Sequence, residues 1–201
     1  LLVDEENSRM KVLLKGQQSD KIDLIMRTGE IIEQLKDEVE TNKHDITIIG
    51  GGGNKGIHQK LVQFIDSSVF VVKNYSVSKK YKILLPVNDS KGSDMAIETA
   101  INFAKSYKLN VEIVSVPEGK KSIEEVEKIL KKTKEKFSKN RIKTTTKLID
   151  GPTVNSIVNY AKDDSIVILG VSPKNPIMKY FFGSKPLSIA QKCNCPVLIT
   201  K

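Results

Sequence analysis

The sequence contains no Trp, two His and two Cys among 201 residues. The cysteines stand as Cys193-Asn194-Cys195. Two are too few for a disulfide scaffold, and no His or third Cys lies near them to complete the four ligands that zinc takes. Free thiols fit a reducing compartment. His44 and His58 lie in polar stretches without a Ser or Cys nucleophile signature, so both are expected on the surface. The run GGGGNKG lacks the Lys-Ser/Thr ending of a P-loop. No apolar run approaches the roughly 18 to 20 residues of a membrane span. The opening LLVDEENSRM lacks the basic-then-apolar layout of a signal peptide. The carboxylate pairs Glu124-Glu125 and Asp163-Asp164 fall on expected helix surfaces or turns. No catalytic constellation emerges, so the chain is expected to be neither an enzyme nor a metal protein.

Hydrophobic content of 39% and charged content of 28% fit a soluble globular protein. The net charge of +9 is unevenly spread. Residues 120–143 hold ten Lys or Arg against four Glu. Ile123, Val126, Leu130, Thr133 and Phe137 recur there at helical spacing, which predicts an amphipathic helix with its lysines outward. No aromatic residue alternates with those lysines as a stacking platform requires, so nucleic acid is not the expected partner.

The C-terminal part alternates strand and helix patterns. YKILLPV (81–87), NVEIVSV (110–116), KTTTKLI (143–149), SIVILG (165–170) and PVLITK (196–201) read as strands. Between them lie helical stripes, the first formed by Ala96, Ile97, Ala100, Ile101 and Ala104. Pro152 suits the opening of the third helix. This order builds a parallel sheet with helices on both faces. The first 75 residues echo it. KIDLIMRTG (21–29), a helix with Ile31, Ile32, Leu35 and Val39, DITIIGGGG (45–53) and SSVFVVK (67–73) match the later strand, helix, strand and closing strand. Gly29 pairs with Gly151 and Gly50 with Gly170. The organisation expected is a partial first repeat over 1–75, a linker over 76–80 and a complete second repeat over 81–201. The first repeat lacks an opening strand and helix, and the sequence does not open on Met. Residues upstream, or another chain, are expected to complete it, because a half-sheet leaves an open apolar edge.

The stretches LLPVNDSKGS, IVILGVSPKNPIMKYFFGS and IAQKCNCPVLITK resemble the universal stress protein family. Nucleotide-binding members carry Gly, two residues, Gly, nine residues, Gly, then Ser or Thr after the fourth strand. Here Gly170 is followed by Pro173 in place of the second glycine, and Gly183 and Ser184 keep the spacing. The resemblance implies an α/β fold: two Rossmann-like repeats, each a parallel sheet with helices on both faces. As in family dimers, the closing strands would meet and form a pseudo-dimer within one chain. It implies an adenine nucleotide, ATP or AMP, with Gly170, Gly183 and Ser184 on phosphate and ribose. Asn88, where the family has Asp, would face the adenosine, and Val116 the adenine. Gly170 is expected to turn the backbone sharply off its strand. In the first repeat the same count lands on Gln63 and Phe64, so that repeat is expected not to bind. The function implied is non-catalytic sensing or regulation in the cytoplasm, with association between repeats or chains. An alternative implied by the same resemblance is the cytosolic tail of a membrane transporter: a cation/proton antiporter, or an amino-acid or cation-chloride cotransporter. Its degenerate site would leave it to pair transporter subunits.

Overall fold

A computed structural model describes residues 25, 27–51, 55–119, 121–171 and 184–201. Six helices and seven strands lie among these residues, alternating except where β2 leads directly to β3. They are α1 (Ile31–Asn42), β1 (Ile46–Gly50), α2 (Lys55–Phe64), β2 (Ser68–Val72), β3 (Lys82–Pro86), α3 (Lys91–Tyr107), β4 (Val111–Ser115), α4 (Ile123–Lys139), β5 (Thr144–Leu148), α5 (Thr153–Tyr160), β6 (Ser165–Gly170), α6 (Ser184–Lys192) and β7 (Val197–Thr200). The strands form one seven-stranded sheet in the order β1-β2-β7-β6-β3-β4-β5. Every neighbouring pair is parallel except β2 and β7. The protein is therefore an α/β fold with a mostly parallel sheet between helices.

Each strand sits where its side-chain pattern can be satisfied. β6 (SIVILG) is buried along nearly its whole length, as a central strand covered on both faces must be. β5 (TTTKL) is an edge strand with Thr145, Thr146 and Lys147 exposed, a polar finish that discourages further pairing. On one face, Ile83, Leu85, Ile113 and Leu198 pack under α3 and α4. The stripe Ala96, Ala100 and Ala104 lets α3 lie close to the sheet. On the other face, Leu84, Val114, Val167, Val197 and Ile199 join Leu61, Val62 and Ile65. In α4, Val126, Leu130, Thr133 and Phe137 face inward, but Ile123 in the first turn is exposed, unlike the expected stripe. Ser122 and Glu125 close a capping box there. Pro152 stands one residue before α5 rather than within it. Of the strand expected over 21–29, residues 21–24 and 26 lie outside the described residues, and residues 27–29 form no strand. Arg27 instead reaches Asp37 and Glu38 of α1, the latter at 2.6 Å.

The antiparallel seam pairs Val69 with Ile199, Phe70 with Leu198 and Val71 with Val197. Beyond it, two lysines make reciprocal contacts. Lys73 follows β2, and its Nζ donates to the carbonyls of Ala190 (2.7 Å), Gln191 (3.0 Å) and Cys193 (3.1 Å) at the end of α6. Lys201 follows β7 and donates to the carbonyl of Ile65 at the end of α2. Each lysine supplies a cation and donors where a helix leaves its last carbonyls unpaired. Beside β2, β1 is an edge strand within the described residues, and its Ile48 is 66% exposed on the face that α3 covers elsewhere.

Charge-assisted hydrogen bonds are among the stronger single contributions to a fold. Lys73→Met is expected to lower unfolding free energy by about 2 kcal/mol, read from urea unfolding. Lys79→Met removes an exposed lysine 3.8 Å from Asp163 and should stay within about 0.5 kcal/mol. Equal effects would show that the α6 cap contributes no more than a surface ion pair.

Candidate functional site

β3 has β6 on one side and β4 on the other, so the connections leave the sheet in opposite directions at this point. A crevice outside the carboxyl ends of the strands is the usual result of such a switch point. Here it is a cleft of about 730 Å³. Val114, Val116, Ile157, Leu169 and Ile189 give it an apolar floor, and Asp89, Glu118, Lys121 and Lys185 stand at its mouth.

Asn88 closes β3 and orders the entry to α3. Its Oδ1 accepts from the Ser90 N–H (3.0 Å) and from Ser93 Oγ (2.8 Å). Ser93 Oγ also accepts from the Asn88 N–H at 2.9 Å. The acceptor that the resemblance assigned to a ligand thus organises this turn, in the manner of an Asx-turn. Its Nδ2 has no hydrogen bond to a described residue and is the Asn88 group open to a ligand. Ser90 caps α3, and Ser115 Oγ fixes the end of β4 through the Val87 carbonyl at 2.8 Å.

Gly170 lines the cleft, and a close backbone approach requires a glycine there; the segment that would carry the expected sharp turn, residues 172–183, lies outside the described residues. Its φ is not positive. A Cβ at this position would come within 1.6 Å of the Gly92 carbonyl oxygen in the first turn of α3. The glycine allows β6 and the α3 N-terminus to touch backbone to backbone. At Gly50, the matching strand end in the first part of the chain, a Cβ would meet nothing within 4 Å. Val116 is 8% exposed and lies on the cleft floor. Gly183 and Pro173 lie outside the described residues, as do Phe181 and Phe182. Ser184 is the first residue of α6, and that helix brings Lys185, Pro186 and Ile189 to the cleft.

The mouth is held by contacts that the sequence reading did not single out. Asp89 pairs with Lys121 and so ties the loop after β4 to the loop after β3. The Lys121 ammonium holds the Asp89 carboxyl below the ordinary carboxylate range. Glu118 accepts from Lys185 Nζ at 2.5 Å and from Thr153 Oγ1, bridging α6 and α5. Lys185 stood directly after Gly183-Ser184, and a cation beside an expected anion donor was the signal that could have marked it.

In the first part of the chain, α2 begins at Lys55, and Gln63 and Phe64 fall in its last turn. The helix occupies the length that a Gly-Ser turn would need. His58 corrects an expectation: it is 7% exposed, with Nε2 3.2 Å from the Gly50 carbonyl. Its spacing to Leu61, Val62 and Ile65 places it on the buried stripe of α2. His44 is exposed and meets Glu38 at 3.0 Å. Cys193 and Cys195 are both buried free thiols. Among the described residues, no group of three or more His, Cys, Asp or Glu could hold a metal ion. Among them also, no helix is long and apolar enough to cross a membrane.

A mostly parallel sheet with a cleft at its switch point defines the class: an α/β protein with helices on both faces of the sheet. The sequence profile of the universal stress protein family matches residues 81–201, and the chain belongs to that family. A universal stress protein of Methanocaldococcus jannaschii is 28% identical over 138 residues, covering 60% of this chain and 81% of that protein. The crystal structure of a universal stress protein from Archaeoglobus fulgidus superposes with a TM-score of 0.71 at 15% identity, covering 99% of this chain and 78% of that one. A Pseudomonas aeruginosa universal stress protein structure gives 0.70 at 13% identity, with coverages of 97% and 78%. Both superpositions bear on the fold alone.

The two glycines should respond oppositely to a methyl group. Gly170→Ala forces backbone apart and is expected to cost about 3 kcal/mol, whereas Gly50→Ala should change stability by less than about 1 kcal/mol. Denaturant midpoints of the two variants check this, and equal losses would contradict the contact with Gly92.

Proposed function

We propose that the chain is a non-catalytic regulatory module in which residues 81–201 bind an adenine nucleotide, ATP or AMP, in the switch-point cleft. The observation that carries this reading is the cleft itself. It combines an apolar floor wide enough for a base with two helix N-termini and two lysines at its mouth. Val116 and Ile157 suit the adenine, and the open Asn88 amide suits ribose. The start of α6 with Lys185 suits phosphate, since helix N-termini present free N–H groups and a positive dipole end. Glu118 now holds Lys185, so an incoming phosphate would compete for that lysine.

The proposed organisation is a tandem duplication packed as a pseudo-dimer, with a partial repeat over 1–75, a linker over 76–80 and a full repeat over 81–201. Three features support it. β2 and β7 pair about a centre at Phe70 and Leu198. Lys73 and Lys201, each three residues past that centre, exchange contacts with the helix ends. Gly29 and Gly151, each two residues before a helix, both have positive φ, at 131° and 100°. The same features suggest how occupancy would be signalled. One end of α6 lies at the cleft and the other is held by Lys73. A ligand that orders α6 would thereby favour one arrangement of the two halves.

Thermal denaturation with ATP, AMP and GTP tests the reading. At about 100 times its dissociation constant a ligand adds about 2.7 kcal/mol to stability. ATP or AMP should raise the midpoint, GTP should do so less, and Lys185→Glu should abolish the shift. No phosphate should be released over many turnovers. Absence of a shift with every adenine nucleotide would refute the proposed ligand.

A further inference from the structure

The chain's excess positive charge is concentrated on a short stretch. Residues 128–147 hold nine Lys or Arg and a single acid, Glu135. The fold gathers the end of this stretch with a second basic turn. Val111 donates to the Lys143 carbonyl at 3.2 Å where β4 and β5 begin. Lys105 donates to Asn140 Oδ1 at 2.6 Å across the ends of α3 and α4. The α3–β4 and α4–β5 turns therefore form one surface, at the pole of the sheet opposite the cleft. Lys105, Lys108, Lys139, Arg141 and Lys143 are all exposed there, with Tyr107, 64% exposed, among them.

The fold does not by itself demand these charges. Basic residues near a helix C-terminus interact favourably with its dipole, an effect confined to the last turn. This pole has several per helix. Two occupy left-handed positions where glycine is favoured, Lys108 with φ 53° and Arg141 with φ 59°. Of the acids at this pole, Glu112 takes Lys82 and Tyr160, Asp163 lies beside Lys79, and Asp164, whose buried Oδ1 has no partner among the described residues, pairs with none of these turn cations. No ion pair among the described residues involves Lys108, Lys139, Arg141 or Lys143.

We propose that this pole docks on an anionic lipid bilayer. Its shape and chemistry favour a charged plane over a nucleic acid. The surface is made of turn tips rather than a groove. It presents helix C-termini, which offer carbonyls rather than the N–H groups that grip individual phosphates. Tyr107 within these turns, with Tyr75 already stacked on Tyr81 before β3, does not make the series of open faces that stacks bases. Diffuse attraction of lysines and arginines to a negative leaflet needs no groove, and an exposed Tyr suits the headgroup level. Binding at this pole leaves the cleft facing away from the bilayer, open to its ligand.

Sedimentation of the full chain with lipid vesicles tests the proposal. It should pellet with phosphatidylcholine vesicles containing about one third phosphatidylglycerol, and not with phosphatidylcholine alone. Raising salt from about 0.05 M to about 0.5 M should release it. The triple variant Lys108→Glu, Arg141→Glu, Lys143→Glu should bind about tenfold more weakly or worse, given the additive pull of each basic residue. Circular dichroism monitors its folding. The milder pair Lys108→Gln, Lys143→Gln serves if the triple variant unfolds, and should bind measurably less than the parent. Failure to pellet with anionic vesicles, or full binding by whichever variant is folded, would overturn the proposal. Tighter binding to random duplex DNA than to anionic vesicles would overturn it in favour of a nucleic-acid surface.

Discussion

Among the described residues, the pairing of β2 with β7 joins what would otherwise be a five-stranded sheet and a two-stranded one. Neither β1 nor β2 has enough of its own to bury, and a pair of strands is marginal in water. Through Phe70 and its neighbours they extend a sheet that already has a core on both faces. Phe70 meets Phe103 of α3 edge to face, with ring centroids 6.2 Å apart, so the joined strands also share a helix. Lys73 and Lys201 then tie each half to a helix end of the other. The core cluster that contains Leu61, Val62 and Ile65 from one side also contains Ile189, Ala190 and Cys193 from the other. Pulled apart at the seam, both groups would face water.

Seen from that seam, the two halves differ in one respect with several effects. The second half has α3, whose first turn presses on Gly170 and whose N-terminus borders the cleft. The first half has no described counterpart. Among the described residues, a Cβ at Gly50 would meet nothing within 4 Å, and Ile48 is exposed. The cleft, the close glycine contact and the buried helix stripe belong together.

Much of the architecture was legible because burial imposes a period on sequence. Every strand of the second half is short, apolar or β-branched, and bounded by turn residues, so its existence and order followed from pattern alone. The sequence singled out Gly29 and Gly151, and both have the positive φ that few other residues adopt comfortably. Other features needed the third dimension. Gly170 was legible as special, yet its reason is a backbone atom of Gly92 far away in sequence. His58 was assigned to the surface by its polar neighbours, although its helical spacing to Leu61 and Ile65 pointed inward. Ile123 fitted a stripe by period but falls in a first turn that clears the sheet. Lys121 and Glu118 of the loop after β4 form a mouth only when Asp89 of the loop after β3 and Lys185 of α6 converge on them, and no spacing within one segment encodes that.

In the proposed function, α6 links an adenine-nucleotide cleft at its first turn to the Lys73 cap and the β2–β7 seam at its last. Hydrogen exchange measured along the chain with and without ATP tests it most directly, because exchange reports the opening of individual segments. Added ATP should slow exchange in the first turn of α6, in its last turn and in β2 together, with little change in α1. Protection confined to the loops around Asn88 and Glu118, or no protection anywhere, would contradict the account.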